Sequence, residues 1–222
     1  ISIICFMSAA KVIVIDGLIG AGKTTLINLL AELYKSRGYN VCVMLEPVEL
    51  WQKTGALAHF YENIDAHAYE FQTFVYVSRI KDIIERFEAN QNADIYLLER
   101  SIFTDRYVFV EMLKDKLGPV RYQMYNYWWD MWNRIMPFEI TNWIFLDTSV
   151  DVAQQRICIR DRKEESAIDS SYQEQLLAAH HNFYDELKKQ GKNITLISGD
   201  IMGKDIFLNP SVLDEIAGII PI

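Results

Sequence analysis

Short apolar runs alternate with longer amphipathic stretches along this chain. The runs Lys11–Asp16, Asn40–Leu45, Asp94–Leu98, Asn142–Leu146 and Asn193–Ile197 each have the length and β-branched content of a buried strand. Between them the apolar positions fall at helical spacing. Leu26, Leu29, Leu30 and Leu33 form one stripe that Gly38 ends. The spacing predicts a helix over Val48–Asn63, with Leu57 and Tyr61 one turn apart, and a longer one over Ala66–Asn90. Further helices are predicted over Ser101–Leu117 and Val120–Met136, broken at Gly118-Pro119, then from Val150 onward and over Ser170–Gln190. The tail after Gly199 gives no clear pattern. Strand and helix in strict alternation imply an α/β fold, three layers about a central five-stranded parallel sheet.

The first strand runs straight into Gly17-Leu18-Ile19-Gly20-Ala21-Gly22-Lys23-Thr24-Thr25. Gly17, Gly22, Lys23 and Thr24 fit G-x-x-x-x-G-K-[ST], in the strand-turn-helix order that a phosphate-binding loop requires. Glycine lets the backbone curl so that successive N–H groups converge on phosphate oxygens, and the helix start adds its positive end. Lys23 is expected to reach the terminal phosphates and Thr24 to offer a hydroxyl to magnesium. This is the P-loop NTPase fold as an expectation, with ATP or another nucleoside triphosphate and Mg2+ as its ligands.

Composition narrows the picture further. With 222 residues and half of them apolar, the chain suits one domain. A net charge of −8 argues against a nucleic-acid or anionic-membrane partner, and any anion site must be local. Cys5, Cys42 and Cys158 lie far apart without metal-ligand spacing, which points to reduced thiols in an intracellular, cytoplasmic protein; a removed mitochondrial targeting segment is the alternative. Residues 1–10 are expected to lie outside the core. His180 and His181 are adjacent, so on a helix they point roughly 100° apart and make a poor chelate.

Carboxylates stand at strand ends: Glu46 before Pro47, Glu99 before Arg100-Ser101, and Asp147 as a third. Such positions face the ligand crevice of an open parallel sheet. Gln72 and Arg79 are seven residues apart and share a face of the long helix, where burial without partners would be costly. Arg156, Arg160 and Arg162 are the concentration of arginine in an acidic chain, placed where a movable segment (about 156–170) could cover a transferring phosphoryl group. Tyr122, Tyr125, Tyr127, Trp128, Trp129 and Trp132 crowd one helix without interleaved basic residues, which suits core or a subunit interface rather than base stacking.

Together, Gly17 to Thr24, Glu46-Pro47-Val48 with Trp51, Phe71-Gln72-Thr73, Ser78-Arg79, Glu99-Arg100-Ser101 with Asp105-Arg106-Tyr107, and Arg160-Asp161-Arg162 with Glu164-Glu165 resemble the deoxynucleoside kinases, over about Lys11 to Ile197. The likeness is greatest to the deoxycytidine, deoxyguanosine and deoxyadenosine kinase branch. The resemblance implies that Glu99 is the general base for the sugar 5′-hydroxyl and a magnesium neighbour with Thr24. It implies that Arg100 steadies that carboxylate and that Glu46 lies near the same hydroxyl. Tyr61 and Glu165 would hold the 3′-hydroxyl, and Gln72 would pair with the base edge. Phe71 and Phe109 would be aromatic walls, and Val48, Trp51, Leu57, Phe60, Val75 and Tyr172 would complete the acceptor site. Lys23, Arg156, Arg160 and Arg162 would act on the phosphoryl group, with Arg160 and Phe207 against the donor base. Arg79 and Asp105 would pair and favour cytosine or a purine over thymine. A homodimer is also implied. The competing expectations are a thymidylate-kinase-like monophosphate kinase and a non-catalytic nucleotide switch.

Overall fold

In the computed structural model, which describes residues 10–200 and 210–219, five parallel strands form one sheet: β1 (Lys11–Gly17), β2 (Val41–Met44), β3 (Ile95–Glu99), β4 (Asn142–Asp147) and β5 (Ile194–Ser198). Their order is β2-β3-β1-β4-β5, with Ile15 opposite Glu99 on one side and Ile144 on the other. Val12 to Ile15, Ile95 to Leu98 and Trp143 to Leu146 are all buried, as strands covered on both faces must be. The flanking helices are α1 (Lys23–Ser36), α2 (Val48–Lys53), α3 (Ala56–Glu62), α4 (Ile64–Ala89), α5 (Ile102–Thr104), α6 (Lys114–Asn133), α7 (Val150–Arg160), α8 (Ser170–Lys189) and α9 (Pro210–Ile219). The connection from β3 back across β1 to β4 makes β1 the place where the strand order reverses. A crevice forms there at the strands' C-terminal ends.

Three expectations change. The helix read over Val48–Asn63 is two helices, because Gly55 takes a left-handed φ of 75° and turns the chain between α2 and α3. Asn63 then caps α4 by accepting from the Ala66 N–H at 3.1 Å. The helix read over Ser101–Leu117 breaks into α5, whose Ser101–Thr104 capping box fixes its start, and a π-helical turn over Asp105–Val110. Such a turn widens the helix and re-aims side chains, here Asp105 and Phe109. The expected break at Gly118-Pro119 is present as a kink inside α6. The unreadable tail contains α9, which buries Leu213, Ile216 and Ala217 and ties to α1 through Arg37 and Asp214 at 2.6 Å. Most of residues 1–10, and Phe207, lie outside the described residues.

Candidate active site

The turn between β1 and α1 rests on α7. Gly20 has φ 85°, and a Cβ there would stand 2.4 Å from the Ala153 carbonyl oxygen, so only glycine lets the two backbones approach. Arg156, also from α7, donates to the carbonyls of Ala21 and Gly199, each at 2.9 Å, and braces the turn. Lys23 is buried and folds back to donate to the Leu18 carbonyl at 2.8 Å. Burial, with the charge of Arg100 added, lowers its pKa to about 8 despite Glu99 and Glu46 nearby. The Thr24 hydroxyl lies 2.9 and 3.0 Å from the two Glu99 oxygens, so the turn and the end of β3 meet directly.

Behind that contact four charged side chains form a connected, buried set. Arg79 donates Nη2 to Glu46 at 2.8 Å, Nε to Asp105 at 2.8 Å and Nη1 to the Glu99 carbonyl at 2.9 Å. Arg100 donates Nη1 to the other Glu46 oxygen at 2.5 Å and Nη2 to the Gly17 carbonyl at 3.0 Å. Burial alone would raise the Glu46 pKa, yet the two guanidiniums hold it at about 2. Asp105 goes the other way: burial pushes it up to about 6 against the pull of Arg79, and its Oδ1 has no partner among the described residues. The expected Arg79–Asp105 pair is therefore part of a Glu46–Arg79–Asp105 chain.

In front of this set opens a cavity of about 330 Å³. Phe60 stacks on Phe71 with centroids 4.5 Å apart, and Trp51 meets Phe71 edge-on while its indole N–H donates to Ser78 at 2.9 Å. Phe109 faces them, with the Arg100 guanidinium 5.0 Å from its ring centroid. Val48, Leu57, Val75 and Tyr172 add to the wall, with Gln72 and Asp105 among the polar lining groups. Tyr61 and Glu165 lie at the same cavity; burial, Tyr172 and Glu165 together push the Tyr61 phenol well above its ordinary pKa. Arg160 and Arg162 both donate to the buried Glu165, the latter at 2.7 Å, so these arginines sit on the cavity beside that carboxylate. A larger cleft of about 760 Å³ lies between α5, the segment that follows α6 and the C-terminal half of α8, but it lacks convergent buried charges.

The structure thus brings Ile19, Gly20, Lys23, Thr24, Glu46, Glu99, Arg100 and, Arg79 apart, the residues expected to line an acceptor site to one cavity. Gly17, Leu18, Ala21, Gly22, Thr25, Arg79 and Arg156 are outside its lining, Arg79 because it stands behind Glu46 and Asp105. Sequence reasoning missed Asp16, Thr104 and His180, a buried hydrogen-bonded cluster behind Arg100. One signal was available: Asp16 is a carboxylate directly following the apolar run Val12–Ile15 and still within the strand. The other was that His180 falls on the apolar stripe of α8 with Leu176, Phe183, Tyr184 and Leu187.

A glycine turn at the end of a parallel strand, joined through Thr24 and Glu99 to a cavity with aromatic walls and paired charges, is an arrangement that suits phosphoryl transfer. The profile of the family described as Deoxynucleoside kinase matches residues 13–218, and the chain belongs to that family. Among its relatives, the probable deoxycytidine kinase of fowlpox virus is 32% identical over 90% of this chain and 82% of its own length. Human mitochondrial thymidine kinase 2 is 31% identical over 77% of this chain, which spans 62% of that relative's length. Human deoxycytidine kinase is 28% identical over 78% of this chain and 75% of its own. Membership carries kinase activity on deoxynucleosides and decides against the switch and the monophosphate kinase. Among the described residues no helix is long and apolar enough to cross a membrane.

Proposed function

We propose that this kinase transfers the γ-phosphoryl group of ATP to the 5′-hydroxyl of a deoxynucleoside for nucleotide salvage, preferring deoxycytidine or a purine deoxynucleoside to thymidine. The observation that carries the base preference is the buried Glu46–Arg79–Asp105 chain, with an unpartnered Asp105 oxygen at a cavity that Gln72 also lines. Cytosine presents an amino donor where thymine presents a carbonyl acceptor and a neighbouring methyl group. A carboxylate held by Arg79 accepts from the amino group, whereas thymine would leave acceptor facing acceptor and a methyl against charge.

The chemistry asked of the protein is positioning, charge neutralisation and removal of one proton. Glu99 takes the 5′-hydroxyl proton. Arg100 and Glu46 fix the sugar end beside it, and Lys23 turns from the Leu18 carbonyl to the phosphates. Tyr61 and Glu165 hold the 3′-hydroxyl, and Arg160 and Arg162 cover the cavity so that water does not replace the nucleoside as acceptor. Thr24 and Glu99 are hard oxygen donors of the kind magnesium takes together with nucleotide phosphates, and when bound the ion supplies further charge neutralisation. The likeness to deoxycytidine kinases favours the cytosine reading, and the likeness to thymidine kinase 2 is its counterweight. Initial rates with ATP, Mg2+ and each of the four deoxynucleosides test it. The best of deoxycytidine, deoxyadenosine and deoxyguanosine should exceed thymidine in kcat/KM by at least about tenfold, the scale of one buried polar mismatch. Thymidine as best substrate would overturn the proposal.

The same reading includes a homodimer. Val120, Met124, Tyr127, Trp128 and Met131 leave an exposed apolar stripe on α6, with Val77 of the adjacent α4 exposed as well. A contiguous patch of this kind suits a second copy of the chain.

A further inference from the structure

Asp16 is fully buried, in a strand whose preceding residues Val12 to Ile15 are apolar. A carboxylate in that setting is costly unless donors surround it, and they do. It accepts from the Gly17 N–H at 2.9 Å, the Thr104 hydroxyl at 2.6 Å and His180 Nε2 at 3.0 Å. Burial works to raise its pKa, but His180, then Arg100 and Thr104, bring it down to about 2.

His180 is equally buried, stacked on Phe145 with centroids 5.5 Å apart and edge-on to Phe109. Its Nδ1 lies 2.8 Å from the Leu176 carbonyl oxygen, so each ring nitrogen faces an oxygen acceptor.

Three functional segments converge on this pair. Gly17 opens the phosphate-binding turn. Thr104 closes the capping box of α5, and Asp105 follows it. Arg100, in a left-handed backbone conformation at φ 61°, has its two terminal nitrogens on Glu46 and Gly17. Its Nε has no hydrogen-bond partner among the described residues and stands 3.7 Å from Asp16. Neither Asp16 nor His180 lines the cavity.

We propose that Asp16 and His180 are a positioning pair for phosphoryl transfer: a buried hydrogen-bonded pair that fixes Arg100 and the Ser101–Thr104 turn against the phosphate-binding turn, holding the donor and acceptor halves in register. The inference rests on the kinase reading above. It differs from a merely structural role in what it changes. A structural pair alters how many molecules fold; a positioning pair alters how fast each folded molecule turns over.

The test compares wild type with His180→Gln and with the paired change Asp16→Asn plus His180→Gln, which leaves no unpaired buried charge if the single variant folds poorly. Deoxycytidine and the other three deoxynucleosides are titrated calorimetrically to count binding-competent molecules, and turnover with ATP and Mg2+ is expressed per competent molecule. Both variants should lose about 10- to 100-fold in kcat while the nucleoside dissociation constant stays within about threefold, the pattern of a small misplacement at the reacting groups. Wild-type kcat per competent molecule in both variants would overturn the pairing. A wild-type protein that binds and phosphorylates no deoxynucleoside would instead overturn the kinase reading, so the two failures are distinguishable.

Discussion

Arg79 divides its guanidinium among a carboxylate on β2's end, a carboxylate on the π-turn and the carbonyl of Glu99. The charge proposed to shape the base pocket is therefore tied to the residue proposed to take the proton. Asp105 is the weakly held member, with burial raising its pKa to about 6. Because that value lies above the ordinary carboxylate range, the folded protein takes up a proton before the unfolded chain does. The stability linked to this group is then fully present below about pH 4 and lost as pH rises through 6. Glu46, held at about 2, behaves oppositely: its contribution is present above its ordinary value of 4.5 and is lost as pH falls toward 2. On the proposed reading, the base is recognised by the ionised form of Asp105. Deoxycytidine affinity, measured by titration from pH 7.5 to 5, should weaken with a midpoint near 6, and Asp105→Asn should abolish that midpoint. A flat wild-type profile would show that the ionised carboxylate does not read the base.

At the scale of elements, the glycine turn and α7 act together. Gly20 lies against the Ala153 carbonyl, and Arg156 bonds to the turn's Ala21 carbonyl. Gly20→Ala should push the turn off α7 and raise the KM for ATP by about tenfold or more, with nucleoside affinity little changed, since α7 backbone cannot yield as a side-chain tip can. Equal loss for both substrates would point to general unfolding. The five strands and the long helices were legible in the sequence because each needs only a repeated local period: runs such as Val12–Ile15 and the leucine stripe of α1 carry their own signal. The α2–α3 break was less visible, since Gly55 sits within a pattern that reads as continuous helix. The π-turn at Asp105 was invisible, because its pattern remains helical and the widening comes from packing. The site followed the same rule. Glu46, Glu99 and Lys23 announce themselves at strand ends and in a motif. Asp16 and His180 matter through contacts between residues 164 positions apart, which no local pattern records.

For the whole molecule, one sheet carries both the glycine turn and the cavity, and the exposed apolar stripe of α6 is the surface proposed for a second copy. Met124→Glu with Trp128→Glu should convert a dimer to a monomer in sedimentation while the cavity residues remain in place. An unchanged sedimentation coefficient would move the interface elsewhere. The central claim is that the buried Glu46–Arg79–Asp105 chain selects the base, and the direct measurement is the ratio of kcat/KM for deoxycytidine to that for thymidine, in wild type and in the double variant Arg79→Met with Asp105→Ala. Overall turnover should fall in the variant, because Arg79 also supports Glu46 and Glu99. The ratio, which cancels that common loss, should fall by at least about tenfold toward thymidine. A ratio unchanged from wild type would contradict the account.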